Sequence, residues 1–184
     1  MTPEEALRLA LSKLDECSIP YMVTGLFASN MHGVPRATYD ADIVIDVDQQ
    51  SLEKFLESLG EEFYRSIEGA KEALARERMF NIIHLETGFK VDLIIKKKRA
   101  FSQEEFARRE EANYLGELRW FATAEDVILV KLEWSKLGDS ERQFTDALNV
   151  ARIQGENLDR EYLKKWAKEL DLEQHLERLF QDLL

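Results

Sequence analysis

Apolar and polar positions divide the chain into a first part where short strands alternate with helices and a second part of helical periodicity. Thr2, Pro3 and Glu5 read as an N-cap, a first-turn proline and the returning carboxylate of a capping box. A first helix therefore starts at Pro3, and Leu7, Ala10, Leu11 and Leu14 carry it to about Cys17. Ile19 to Val23 reads as a short buried strand ending at Gly25, followed by a short helix from Leu26 to Met31 and a turn at Gly33, Val34 and Pro35. From Ala37 to Val47 the alternation is that of a half-buried strand. Ala41, Ile43, Ile45 and Val47 form one face, and Asp40, Asp42, Val44, Asp46 and Asp48 the other.

Helices are predicted over 50–59 and 67–78, and a hairpin pairs Phe80 to Glu86 with Phe89 to Ile95 around Thr87 and Gly88. From Glu104 onward helices dominate: Thr123 caps one that runs to about Leu137, Gly138 stops it, and further patterns cover 140–153, 158–169 and 171–183. The expected fold is α/β (α+β), a small mixed sheet flanked by helices. Residues 1–100 would form the core, and 101–184 a helical region packed on it.

Composition narrows the class. An apolar content of 45% and three Trp in 184 residues argue for a globular chain, and the apolar runs fall far short of the ~20 residues that cross a bilayer. The acidic start is unlike a secretory signal, the lone Cys17 cannot form an intrachain disulfide, and no Cys/His spacing suits zinc, so a reducing cytoplasm is expected. A formal net charge of −11 disfavours a broad phosphate-backbone footprint. The basic stretches are Lys96 to Arg99 and the Arg108, Arg109 pair, and runs of this kind are more often solvated loops than binding surfaces.

The chemistry lies in the acids. Asp40 and Asp42 stand two apart on one strand face, with Cα atoms about 6.5–7 Å apart, so their carboxylates can share an ion. Mg²⁺ takes hard oxygen ligands from a few carboxylates while phosphates and water complete its shell. Asp92 is the single acid in an apolar strand whose other face is Val91, Leu93 and Ile95, and a neighbouring strand could place it beside the pair. These acids either solvate an exposed sheet face or form a metal site. Asp suits strand interiors poorly, and such violations tend to mark functional sites. Asp46 and Asp48 fit solvation or helix capping. Upstream, Thr24, Gly25 and Leu26 join a strand to a helix through a glycine, an arrangement that presents backbone N–H groups to an anion such as a triphosphate.

Together Thr24-Gly25-Leu26-Phe27-Ala28, His32-Gly33 and Arg36-Ala37-Thr38-Tyr39-Asp40-Ala41-Asp42 resemble the minimal nucleotidyltransferases of the DNA polymerase beta superfamily, especially the group with the AbiEii-type toxins. The match covers roughly 19–95, with a weaker part at 123–150. The resemblance implies a nucleotidyltransferase fold, Mg²⁺ held by Asp40, Asp42 and Asp92, and Asp92 assisting deprotonation of the attacking hydroxyl. It implies an NTP as co-substrate and an acceptor that is a small molecule, a protein or tRNA. A toxin-like member would have an antitoxin partner. Leu26 departs from the pattern, replacing a small Gly or Ser, and keeps open a catalytically silent nucleotide-binding or interaction module.

Lys131 falls in the middle of the apolar stripe of the helix that Thr123 caps. It either snorkels or pairs with an acid such as Asp146, or reaches the triphosphate. The resemblance makes Lys131 a nucleotide-side residue and Asp146 its partner. Arg36 either contacts phosphate or pairs with Asp40 or Asp42. His32 reads as a packing or capping residue.

Overall fold

The computed structural model describes residues 1–183, which group into two compact units: Met1–Thr24 with Ala37–Phe121, and Gly25–Arg36 with 122–183. The first unit contains α1 (Pro3–Glu16), β1 (Tyr21–Thr24), β2 (Asp40–Ile45), α3 (Gln49–Ser58), β3 (Phe63–Arg65), α4 (Ile67–Ala75), β4 (Met79–His84), β5 (Lys90–Ile95), α5 (Ala100–Arg108), β6 (Glu110–Tyr114) and β7 (Glu117–Phe121). The second contains α2 (Gly25–His32), α6 (Ala124–Gly138), α7 (Glu141–Gln154), a 3₁₀ turn at Gly155–Asn157, α8 (Arg160–Glu169) and α9 (Glu173–Gln181).

The strands of the first unit form one mixed sheet of seven in the order β3-β4-β5-β2-β1-β7-β6. At its centre β2 runs parallel to β5 and antiparallel to β1. The register sets Ala41 opposite Val91, Ile43 opposite Leu93 and Ile45 opposite Ile95, and all six are buried. Each large aliphatic side chain in this layer contributes about 1.5–3 kcal/mol by leaving water, which fixes the register because a slip of one residue would expose the whole set. The opposite face is thereby left to Asp40, Asp42, Lys90 and Asp92. α1 begins with the expected capping box between Thr2 and Glu5 and buries Ala6, Leu7, Ala10, Leu11 and Leu14. Cys17 is buried, its Sγ 3.7 Å from Ser58 Oγ.

The β6–β7 hairpin corrects the expectation of helices from Glu104 onward. Between Glu104 and Thr123 only the end of α5 is helical; β7 pairs with β1 and brings the sheet-containing unit to Phe121. Segment Gly25–Arg36 groups with the C-terminal helices, so the units divide elsewhere than at residue 100. Arg119 of β7 is buried and bonded to Asp15, Glu117 and Ser12. The Asp15 carboxyl is nevertheless held above its ordinary value, because desolvation outweighs the guanidinium.

The basic stretches are occupied locally: Lys96 pairs with Asp46 and lies over the Phe106 ring, Lys98 pairs with Glu77, and Arg109 stacks on Phe106 and Trp120. Asp48 caps α3 by accepting from the Ser51 amide at 2.7 Å, a bond that lowers its carboxyl below the ordinary value.

In the second unit, Thr123 caps α6 and Asp139, in the left-handed region at φ 46°, closes it before α7. Gly33 is closely packed: a Cβ there would lie 3.0 Å from the Ser29 carbonyl oxygen and 3.1 Å from Val150 Cγ2. No helix among the described residues is long and apolar enough to cross a membrane.

Candidate functional site

The candidate site is built by strand pairing. Parallel β2 and β5 set Asp40 opposite Lys90 and Asp42 opposite Asp92. Partners across a ladder share a face, so three acids and a lysine stand together on two adjacent strands about 4.8 Å apart. The row continues on both sides. Thr24 of β1 is opposite Asp42, and Asn81 of β4 is opposite Asp92, so Asn81, Asp92, Asp42 and Thr24 form a polar line across four neighbouring strands.

The three carboxylates differ in environment. Asp40, exposed at the start of β2, accepts from Thr38 Oγ1 at 2.6 Å, and Asp42 is half-buried. Asp92 is only 4% exposed. Its Oδ2 accepts from Lys90 Nζ at 2.7 Å, whereas Oδ1 is buried without a hydrogen-bond partner. An unpaired buried polar group costs about 1–3 kcal/mol, more when charged, and Arg119 Nε and Gln143 Oε1 are in the same state elsewhere in the chain. The hydrogen bond to Asp92 raises the Lys90 ammonium above its ordinary value against partial burial, and the charges of Asp92, Asp40 and Asp42 act in the same direction.

Among the described residues no three His, Cys, Asp or Glu side chains converge closely enough to hold an ion as they stand. Thr38 holds Asp40, and Lys90 holds Asp92. The donors nonetheless fit Mg²⁺ in kind, being hard carboxylate oxygens. Asp92, whose Oδ1 has no hydrogen-bond partner, is in register with Asp42.

β1 passes directly into α2 at Gly25, whose φ of 61° lies in the region that glycine alone enters cheaply. Thr24 and Leu26 on either side are both buried. The first turn of a helix leaves amide groups with no partner in the helix, and these suit a phosphate oxygen.

The second unit contains a separate polar cluster. Lys131 is 6% and Asp146 8% exposed, and Lys131 Nζ lies 3.2 Å from Asp146 Oδ2. Arg36 grips the same carboxylate with both fork atoms, Nε to Oδ1 at 3.2 Å and Nη2 to Oδ2 at 2.8 Å. The expectation that Arg36 pairs with Asp40 or Asp42 is thus corrected. Burial alone would push the Asp146 carboxyl up, but the hydrogen bond from Arg36 and the charge and hydrogen bond of Lys131 prevail and hold it below its ordinary value. His32 Nε2 donates to the Ala122 carbonyl oxygen at 2.7 Å, a packing role.

Sequence reasoning missed Lys90 and Asn81, which gain meaning only from the register.

No family model matches the sequence, and neither does any curated protein. Solved structures do match. The solution structure of antibiotic-resistance factor ANT(2'')-Ia aligns with a TM-score of 0.62 at 14% identity, covering 95% of this chain and 96% of that one. The crystal structure of ANT(2'')-Ia in complex with adenylyl-2''-tobramycin aligns at 0.59 and 16%, covering 93% and 98%. An antigenic nucleotidyltransferase-like protein from Paracoccidioides brasiliensis aligns at 0.56 and 16%, covering 95% and 92%. At such identities the likeness establishes architecture, and the chain has the nucleotidyltransferase fold.

Proposed function

We propose that this chain is a metal-dependent nucleotidyltransferase that moves a nucleotidyl group from an NTP to a hydroxyl or phosphate of an acceptor. The observation that carries the reading is Asp92, a buried carboxylate with one unpartnered oxygen set beside Asp42 on a parallel strand. Asp40, Asp42 and Asp92 would hold Mg²⁺, which when bound supplies charge neutralisation at the phosphates and the leaving pyrophosphate. Asp92 is also suited to take the proton of the attacking hydroxyl. Thr24, Gly25 and Leu26 would receive phosphate oxygens, Thr24 through its side chain and the other two through backbone amides. Because Asp146 already occupies Lys131 and Arg36, all three are assigned a structural part, with Arg36 and Lys131 fixing the Asp146 carboxylate.

The acceptor that best suits the chain is a small-molecule hydroxyl. The adenylyl-2''-tobramycin in one matched structure supports it, and a net charge of −11 favours a cationic small molecule over tRNA. In a toxin-like role the chain would have an antitoxin as partner.

One observation favours a second reading, a catalytically silent nucleotide-binding or interaction module: the glycine turn carries the buried, bulky Leu26 where the resembled pattern has Gly or Ser. Calorimetry with each NTP, with and without Mg²⁺, separates the two. The enzyme reading expects Mg²⁺-dependent binding to the wild type that disappears in Asp40→Ala/Asp42→Ala, followed by nucleotidyl transfer in an acceptor screen. Binding without any transfer across that screen would support the silent module, and no binding to a folded wild type would overturn both nucleotide readings.

A further inference from the structure

Lys90 stands where a cation belongs. It is opposite Asp40 in the β2–β5 ladder and two residues before Asp92 on β5, so its side chain shares the face of all three acids. Its Nζ is 2.7 Å from Asp92 Oδ2, on the carboxylate whose other oxygen is unpartnered. Three carboxylates on one face of two adjacent strands repel one another. A resident ammonium relieves that repulsion and leaves a net charge of −2 where the acids alone carry −3. It also removes half of Asp92 from the set of available oxygen ligands. A pair of divalent ions would have to accommodate an ammonium among their ligands, whereas one divalent ion together with the ammonium balances the cluster.

We infer that the Lys90 ammonium takes the place of one metal ion in this carboxylate cluster, so that the protein binds a single divalent cation there and Lys90 sets both the number of ions and their affinity. The inference rests on the reading of Asp40, Asp42 and Asp92 as a cation site, and Lys90 acts through those ligands as a positioning residue.

Mn²⁺ binding tests it, with ions counted by calorimetry and by the spin-resonance signal of free Mn²⁺, for wild type, Lys90→Met, Lys90→Arg and Asp92→Asn. Thermal melting confirms that each is folded; at 38% side-chain exposure Lys90 is not a core residue. The expected result is one ion per wild-type chain, a second ion or at least tenfold tighter binding in Lys90→Met, restoration of the wild-type count by Lys90→Arg, and loss of binding in Asp92→Asn. Two ions in the wild type with no change in Lys90→Met would overturn the role of Lys90 and leave the cation site standing. Absence of Mn²⁺ binding in wild type and Lys90→Met alike would overturn the cation site itself, and the inference with it.

Discussion

Two buried aspartates, one in each unit, both meet a lysine and come to opposite ends. Asp146 in the helical unit is satisfied on both oxygens: Arg36 takes Oδ1 and shares Oδ2 with Lys131. Asp92 in the sheet has a single bond to Lys90 and a second oxygen with none. Their lysines differ as well, Lys131 being 8% and Lys90 38% exposed at the side chain. A saturated buried carboxylate has spent its bonding capacity on the fold, whereas an unsaturated one retains capacity for a ligand. The two aspartates share residue type and burial and differ in how far their oxygens are satisfied.

Removing each acid in turn gives the largest expected effect. Asp146→Ala strands the Lys131 ammonium in a buried position, and breaking such a pair costs about 3–5 kcal/mol. Asp92→Ala removes a carboxylate with one unsatisfied oxygen and leaves Lys90 able to reach water, so it should cost less than Asp146→Ala, while Mg²⁺-dependent nucleotide binding is lost. Urea unfolding of both variants, paired with nucleotide calorimetry, checks the assignment. Equal destabilisation by the two would erase the distinction between a structural and a functional aspartate.

A smaller effect follows from protonation. The folded Asp146 carboxyl is held below its ordinary value, so its contribution to stability is fully present above the unfolded carboxyl range near pH 4 and is lost as pH falls through the lower folded value. Wild type should therefore lose its advantage over Asp146→Asn progressively below pH 4, measured as converging denaturation midpoints. A gap that stays constant from pH 7 to pH 3 would mean that Arg36 and Lys131 do not hold this carboxylate in solution.

The helical parts of this molecule are legible residue by residue because helix signals are local. Thr2 with Glu5, and Thr123, mark helix starts through contacts within a few residues, whereas α6 closes one residue past the expected Gly138 stop, at Asp139. The acid pair on β2 and the lone acid on β5 are also visible, since strand alternation alone assigns them to a face. The β6–β7 hairpin is not visible, because Glu110, Glu111, Ala112 and Asn113 show no buried alternation and become a strand only by pairing with β7. Lys90 stayed hidden for a related reason: a lysine at the start of a strand reads as a solvated end. Its opposition to Asp40 depends on a parallel register settled by all the chain between β2 and β5.

The smallest effect extends the comparison along the polar row of the sheet. Thr24 is buried opposite Asp42, one residue before the glycine turn into α2, and Val matches its shape without the hydroxyl. If this row is reserved for ligand rather than fold, Thr24→Val should melt within about 0.5 kcal/mol of wild type and bind Mg²⁺–NTP about five- to tenfold more weakly. That factor is the roughly 1–1.4 kcal/mol of one hydrogen bond to a phosphate oxygen. Destabilisation by more than 1 kcal/mol with unchanged affinity would instead place Thr24 with Asp146, among the side chains whose bonding is spent on the fold.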